Sequence, residues 1–295
     1  MTGEVLGRLL LYVAVALAVT WGVGGALPVS GITGNAAALL VGSLAAGWSL
    51  LRLEGRGPGA LGFHLAPSAP REGLAGGAVG VGLALLVVAA VGGLGGVAWS
   101  PEGGSVSAWL VGAGSAAAFL ALPAAAEEAL VRGYPLQLLT ARLGAGWGMV
   151  LTAMVFGALH GANPGATVLG AVNTGAAGLF LGAIYLRTGS LWWATGAHLG
   201  WNWGLGYLAD LPVSGVDVAD APWVGATPAG PWWLGGGDFG PEGSVVATAA
   251  FLAAAAACWW GPWLRVEPAA RIRRPLAVLE RDEKRAPARS GPDQP

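Results

Sequence analysis

The sequence predicts an all-α fold, a polytopic membrane protein of about eight transmembrane helices. Three observations carry that expectation. Only 11% of the 295 residues are Asp, Glu, Lys or Arg, against about 25% in an average soluble domain. Hydrophobic residues make up 55%, and the mean hydropathy is +0.62. Apolar stretches long enough to cross about 30 Å of hydrocarbon, at about 1.5 Å per residue, recur along the chain. So few charges cannot cover a water-soluble surface, and a disordered chain would be charged and poor in apolar residues. The net charge of −1 leaves no basic face for nucleic acid. The single cysteine, Cys258, excludes an intramolecular disulfide framework and a Cys-rich zinc site.

The expected spans run from Arg8 to Leu27, Asn35 to Leu53, Leu74 to Trp99, Ser107 to Leu130, Gly146 to His160, Ala166 to Leu186, Leu191 to Leu208, and Ser244 to Leu264. The first reads as a signal anchor rather than a cleaved signal peptide, because its apolar part is long for the latter. Charge supports the number of spans. Eight of them put all 15 Lys and Arg residues on one side of the membrane: Arg8, Arg52, Arg56, Arg71, Arg132, Arg142, Arg187 and the group from Arg265 onward. The long loop from Ala209 to Gly243 holds only acids: Asp210, Asp217, Asp220, Asp238 and Glu242. Cytoplasmic loops retain Lys and Arg, so both termini are expected in the cytoplasm. Residues 1–264 thus form a membrane-embedded domain, and 265–295 a cytoplasmic, disordered basic tail near anionic headgroups. The 15 Trp residues cluster near span ends, as interfacial belts do. Small-residue spacings such as Gly76 to Gly80 suit close helix packing.

Three places break the apolar pattern, and charge inside a span costs at least about 2.5 kcal/mol for Asp, Lys or Arg. In Ala126-Glu127-Glu128-Ala129-Leu130-Val131-Arg132, Glu128 and Arg132 are spaced to pair on one helix face. Glu127 is rotated about 100° away and has no such partner. One acid is then structural and the other free to act as a general base or acid; alternatively, both mark a helix end at the interface. His160 ends the fifth span, with Phe156 one turn earlier on the same face. His198 and Asn202 share a face of the seventh span and offer hydrogen bonds in a water-poor setting, which a developing oxyanion needs. Packing and interhelical hydrogen bonding are the bland readings of these residues. His64, in the loop Gly62-Phe63-His64-Leu65, has no such setting and reads as a loop residue.

Together, in this order on successive spans, Glu127-Glu128-x-x-x-Arg132, Phe156-x-x-x-His160 and His198-x-x-x-Asn202 resemble the motifs EExxxR, FxxxH and HxxxN of the CPBP family, the CAAX proteases and bacteriocin-processing enzymes also called Rce1-type or ABI. The stretch from Gly178 to Leu191 is similar to the family's pattern as well. The resemblance covers roughly Ala121 to Trp203. It implies an intramembrane endopeptidase with a catalytic core at about 105–208 and a cavity open to the cytoplasmic side and the bilayer. On that resemblance Glu127 and His160 would activate a water, and His198 and Asn202 would stabilise the oxyanion. Glu128 and Arg132 would brace the site, and Phe156 would line it. The family is often labelled metalloprotease, and Glu127, His160 and His198 would form an alternative zinc set. A glutamate-activated water needs no cofactor and uses all four polar residues, so the metal-free mechanism is preferred.

The expected partners are the lipid bilayer and a membrane protein or peptide substrate, with no nucleic acid. The oligomeric state is not readable. The composition, with many Arg and one Lys, fits a bacterial multi-pass protein of the cell membrane. The alternative function is a non-catalytic peptide-binding scaffold or immunity protein of the same fold. A transporter or channel would suit intramembrane Glu and His, but no internal repeat accompanies them. Depth poses a geometric problem. With straight helices His160 lies roughly 20 Å from the inner end of its span, whereas Glu127 lies a few residues from Arg132. They meet only if the fifth span starts farther out or tilts, or if Tyr134-Pro135 holds the fourth helix deep; Pro123 could also kink that helix.

Overall fold

The structure is a computed structural model, and it describes residues 3–26, 31–273 and 276. Helices dominate: α1 (Gly3–Ala26), α2 (Gly31–Leu53), α3 (Ala69–Gly93), α4 (Val106–Glu128), α5 (Tyr134–Leu143), α6 (Ala145–His160), α7 (Val168–Thr188), α8 (Leu191–Trp203), the short α9 (Trp232–Gly235), α10 (Val245–Trp260) and α11 (Pro268–Arg273). The protein is an all-α polytopic membrane protein. Among the described residues five helical stretches are long and apolar enough to cross a bilayer by length and composition, one of them the continuous run Val106–Leu143. The shorter apolar helices α6 and α10, with 16 residues each, and α8 account for the remaining expected spans.

Caps set several boundaries. Ser105, Thr167 and Ser244 accept hydrogen bonds from the backbone N–H of Ala108, Gly170 and Ala247, at 3.1, 3.0 and 3.1 Å. Each satisfies a donor that the first helical turn leaves open. Gly189, at φ 71°, closes α7 in the left-handed conformation, where a Cβ would be strained.

The fourth helix does not stop near Leu130 as its apolar pattern suggests. A π-helical turn, Ala129–Gly133, carries the chain from α4 into α5. Pro135 lacks an N–H for the helix ladder, and placing it just beyond a widened turn lets the helix continue. Glu127 therefore sits about as far from the α5–α6 turn as His160 at the far end of the 16-residue α6. The hairpin brings the two to the same depth, which resolves the geometric problem posed by straight helices. Arg132 is not a loop residue on the basic side. It is fully buried in the π turn. A second π turn, Gly204–Leu208, extends α8 immediately beyond Asn202.

Among the described residues, two of three apolar cores hold most of the helices together. One joins α3, α7, α8 and α10 through Val87, Phe180, Ile184, Ala197 and Phe251. The other joins α1, α2 and α5 through Tyr12, Leu51, Leu61 and Leu138. In the first, α3 and α8 approach backbone to backbone. A Cβ on Gly80 would strike the Ala197 carbonyl, and one on Gly200 the Gly77 carbonyl. Close approach of this kind replaces the hydrophobic drive that helices lack in lipid, and it fixes the helix that carries His198 and Asn202.

The start of α1 and the ends of α2 and α5 meet. Arg8 pairs with Glu54 and, at 3.2 Å, with Glu4, while Arg142 reaches Glu4 at 3.3 Å. At the same end His64, read from sequence as an ordinary loop residue, is buried. Its Nε2 lies 3.0 Å from Glu72 Oε2, an oxygen that also accepts from Ser190 Oγ. This cluster ties the start of α3 to the start of α8. Part of the expected disordered tail is ordered. Glu267 N donates to the Thr188 carbonyl at 2.9 Å, and Leu276 N donates to Gln137 Oε1 at 2.8 Å. Residues 274–275 and 277–295 lie outside the described residues.

The opposite end holds what the sequence did not suggest. The third helix ends at Gly93, and Trp99 lies on β1 (Val97–Pro101), which pairs antiparallel with β2 (Val224–Pro228) in the register Val97↔Pro228 to Pro101↔Val224. The Trp109 and Trp223 rings stack at 5.0 Å beside the pair.

The α3–α8 contact yields a paired prediction. Gly80→Val overpacks a backbone contact and is expected to cost about 1–3 kcal/mol. Gly82→Val, where a Cβ meets nothing within 4 Å, should stay within about 0.5 kcal/mol of the parent. Thermal unfolding of the detergent-purified proteins, side by side, measures the difference.

Candidate active site

Glu127, in the last turn of α4, faces His160 at the end of α6 and His198 in α8. Its Oε2 stands 3.6 Å from His160 Nε2 and 3.8 Å from His198 Nε2. That oxygen is buried and makes no hydrogen bond among the described residues, although the Glu127 side chain as a whole is 32% exposed.

The other nitrogen of each imidazole is engaged elsewhere. His160 Nδ1 lies 2.9 Å from the Phe156 carbonyl, an acceptor only, so Nδ1 carries the proton. His198 Nδ1 lies 3.0 Å from Glu128 Oε1 and donates to that carboxylate. A neutral imidazole with its proton on Nδ1 presents a bare lone pair at Nε2. With both rings neutral, two lone pairs and a carboxylate oxygen converge and a water's O–H groups can bridge them; with His198 protonated, its Nε2–H faces Glu127 Oε2 instead.

Behind the cluster, Glu128 and Arg132 form a dry ion pair. Arg132 Nη1 donates to Glu128 Oε1 at 3.1 Å, with both side chains fully buried, and Nη2 reaches the Gly178 carbonyl at 3.4 Å. Glu128 Oε1 thus serves both Arg132 and His198. Phe156 packs at the centre. The Arg132 guanidinium sits 4.1 Å from its ring centroid, and its ring is 4.6 Å from that of His160 and 5.9 Å, edge-on, from that of His198. Guanidinium-over-ring contact adds attraction where water is excluded.

Glu127, Phe156, His160, His198 and Asn202 line one cavity. All seven motif residues are thus brought together, five at the cavity surface and Glu128 with Arg132 behind it. Part of the lining comes from the acidic loop, in which the sequence showed nothing diagnostic: Val213, Ser214, Val216, Val218 and Glu242. Glu242 is buried, and it accepts from Trp201 Nε1 at 2.7 Å and from Ser214 N and Oγ. In sequence it is one more acid among Gly and Pro. Its only signal is the Asn173 side chain in α7, whose Nδ2 donates to the Glu242 and Ser244 carbonyls at 2.7 and 2.8 Å.

Glu127, His160 and His198, the alternative zinc set, converge with a spacing slightly wider than a tetrahedral zinc draws its ligands to. The ligands of a tetrahedral zinc at about 2.0–2.1 Å stand about 3.4 Å apart, and the two separations from Glu127 are wider. Among the described residues no group of three or more His, Cys, Asp or Glu has a geometry that could hold a metal ion.

Fold and site together describe a membrane protein with a carboxylate–imidazole centre in a helix-walled cavity. Residues 106–204 match the family model described as type II CAAX prenyl endopeptidase Rce1-like, and all three motifs fall inside the matched segment. The match spans about a third of the chain and supports the CPBP, or CAAX protease, family and, with it, a membrane-embedded endopeptidase in general. No curated protein and no solved structure matches the chain.

The buried pair generates a stability prediction. Arg132→Met leaves Glu128 without its buried counter-charge and is expected to cost about 3–5 kcal/mol. Adding Glu128→Gln should recover much of that loss, because the uncompensated charge is gone. Thermal unfolding of the single and double variants in detergent reads the difference.

Proposed function

We propose that the protein is an intramembrane endopeptidase that hydrolyses a peptide bond of a membrane-associated protein or peptide with a water activated by Glu127 and His160. The observation that carries this reading is the convergence of Glu127 Oε2 with two Nε2 atoms whose Nδ1 partners are already engaged. A water held there donates one proton to the Glu127 carboxylate and directs its oxygen lone pair into the cavity. Its attack on the scissile carbonyl forms a C–O bond and leaves a tetrahedral oxyanion.

His198 and Asn202, one turn apart, bind that oxyanion. In its charged form His198 keeps Nδ1–H on Glu128 and offers Nε2–H to the developing charge, and the Asn202 amide adds a second donor. The proton taken by Glu127 then passes to the departing amine as the C–N bond breaks. Glu128 and Arg132 are positioning residues that hold the His198 ring, and Phe156 holds both rings apart. No metal takes part in this reading.

The basic end, with both termini, is assigned to the cytoplasm by the one-sided Lys and Arg. The family description names a prenylated CAAX substrate. For this chain the substrate class is broader, a membrane-delivered protein or peptide, in a cell membrane we take to be bacterial.

Glu127→Gln keeps size and removes the base. It should lower turnover by about 10²–10⁴-fold, the usual worth of a general base, without loss of folded protein. Quantitative membrane proteomics of cells carrying wild type or Glu127→Gln should show an uncleaved precursor accumulating only with the variant. Equal processing in both strains rejects the mechanism.

A further inference from the structure

The acidic loop between α8 and α10 does more than connect them. Three observations show it built into the cavity. Glu242 lies in the loop yet is buried, with both carboxylate oxygens engaged: Oε1 accepts from Trp201 Nε1 at 2.7 Å, and Oε2 from Ser214 N and, at 2.8 Å, from Ser214 Oγ. The Ser214 carbonyl in turn accepts from Asn163 Nδ2 at 3.1 Å, and Asn163 N donates to the His160 carbonyl at 3.1 Å. Finally, Ser214 holds φ at +47°, a left-handed conformation unusual for a residue with a side chain.

A continuous hydrogen-bonded bridge therefore runs from Trp201, next to Asn202 on α8, through Glu242 and Ser214 to Asn163, just beyond His160 on α6. Its members line the cavity that Glu127 also lines, together with the apolar side chains of Val213, Val216 and Val218. Strained backbone of this kind persists where the surroundings over-determine it, and it concentrates at functional sites.

We propose that Glu242 is a positioning residue that latches this loop as a fixed wall of the reaction chamber, a wall whose free surface is apolar and receives an apolar group of the substrate. The proposal rests on the cavity being the site of hydrolysis, but the latch itself needs no substrate to be observed. Failure of the latch would leave the hydrolysis reading standing, and failure of hydrolysis would leave the latch intact.

The experiment uses the full-length protein in detergent, with N-ethylmaleimide as the probe. Val216→Cys puts a thiol on the wall, and the native Cys258, 1% exposed in the helix core, serves as an internal control. Peptide mapping by mass spectrometry follows the two thiols separately. Removing the latch by Glu242→Ala should speed labelling at position 216 about tenfold or more, since a lost hydrogen bond to a charged group opens a segment by that order, while Cys258 stays unlabelled.

Glu242→Gln keeps an acceptor for Trp201 but faces Ser214 N with a donor, and it should give an intermediate increase. It also covers the case in which Glu242→Ala does not fold. Unchanged labelling at position 216 in the variants that fold would overturn the proposal. So would labelling of position 216 and Cys258 in step, because Glu242 would then be a general fold contact and not a latch on the wall.

Discussion

The structure turns on one oxygen. Glu128 Oε1 accepts from Arg132 at 3.1 Å and from His198 Nδ1 at 3.0 Å, in a place where both members of the ion pair are fully buried. Taking a charge out of water costs several kcal/mol even after relaxation, so this oxygen holds its partners firmly. It joins α4, the π turn and α8, and through Arg132 it reaches the α7 backbone at Gly178. It also sets the tautomer of His198 and therefore which nitrogen faces Glu127. The two adjacent glutamates have opposite tasks because a helix turns about 100° per residue: one faces the dry interior and the other the cavity.

Depth is the second constraint, and backbone irregularity meets it. A regular fourth helix ending near Leu130 would leave Glu127 at the interface and His160 across the membrane from it. The π turn lets the helix continue past Pro135, and the α5–α6 hairpin then returns His160 to the level of Glu127. A second π turn directly after α8 lies two residues past Asn202. Such turns widen a helix locally and concentrate at functional sites; here each adjoins a motif. The glycine contact between α3 and α8 holds the remaining motif helix from behind.

Much of this was readable from the residues. In a chain with 11% charged residues, a Glu-Glu-x-x-x-Arg run inside an apolar span is conspicuous, and helical spacing alone separates the paired Glu128 from Glu127. The helical segments follow equally directly from apolar length. What was not readable shares one physical cause: polar residues outside spans look the same in sequence whether solvated or buried. Glu242 resembles Asp217 or Asp220 until Trp201 and Ser214 are seen to surround it. His64 resembles any loop histidine until Glu72 and Ser190 close on it. Arg132 resembled a topological marker because nothing local reveals that the helix continues for ten residues of α5 beyond the π turn. The β1–β2 pair escaped notice because Val97–Pro101 reads as the frayed end of an apolar span.

Under the proposed mechanism a water activated by Glu127 attacks the peptide bond and no metal is required. Purified protein acting on its isolated precursor, with cleavage rate and bound zinc measured on the same samples across graded chelation, addresses it most directly. A rate that stays constant as zinc falls far below one atom per chain is the predicted result. A rate that falls in proportion to bound zinc, and returns only when zinc is restored, would contradict it.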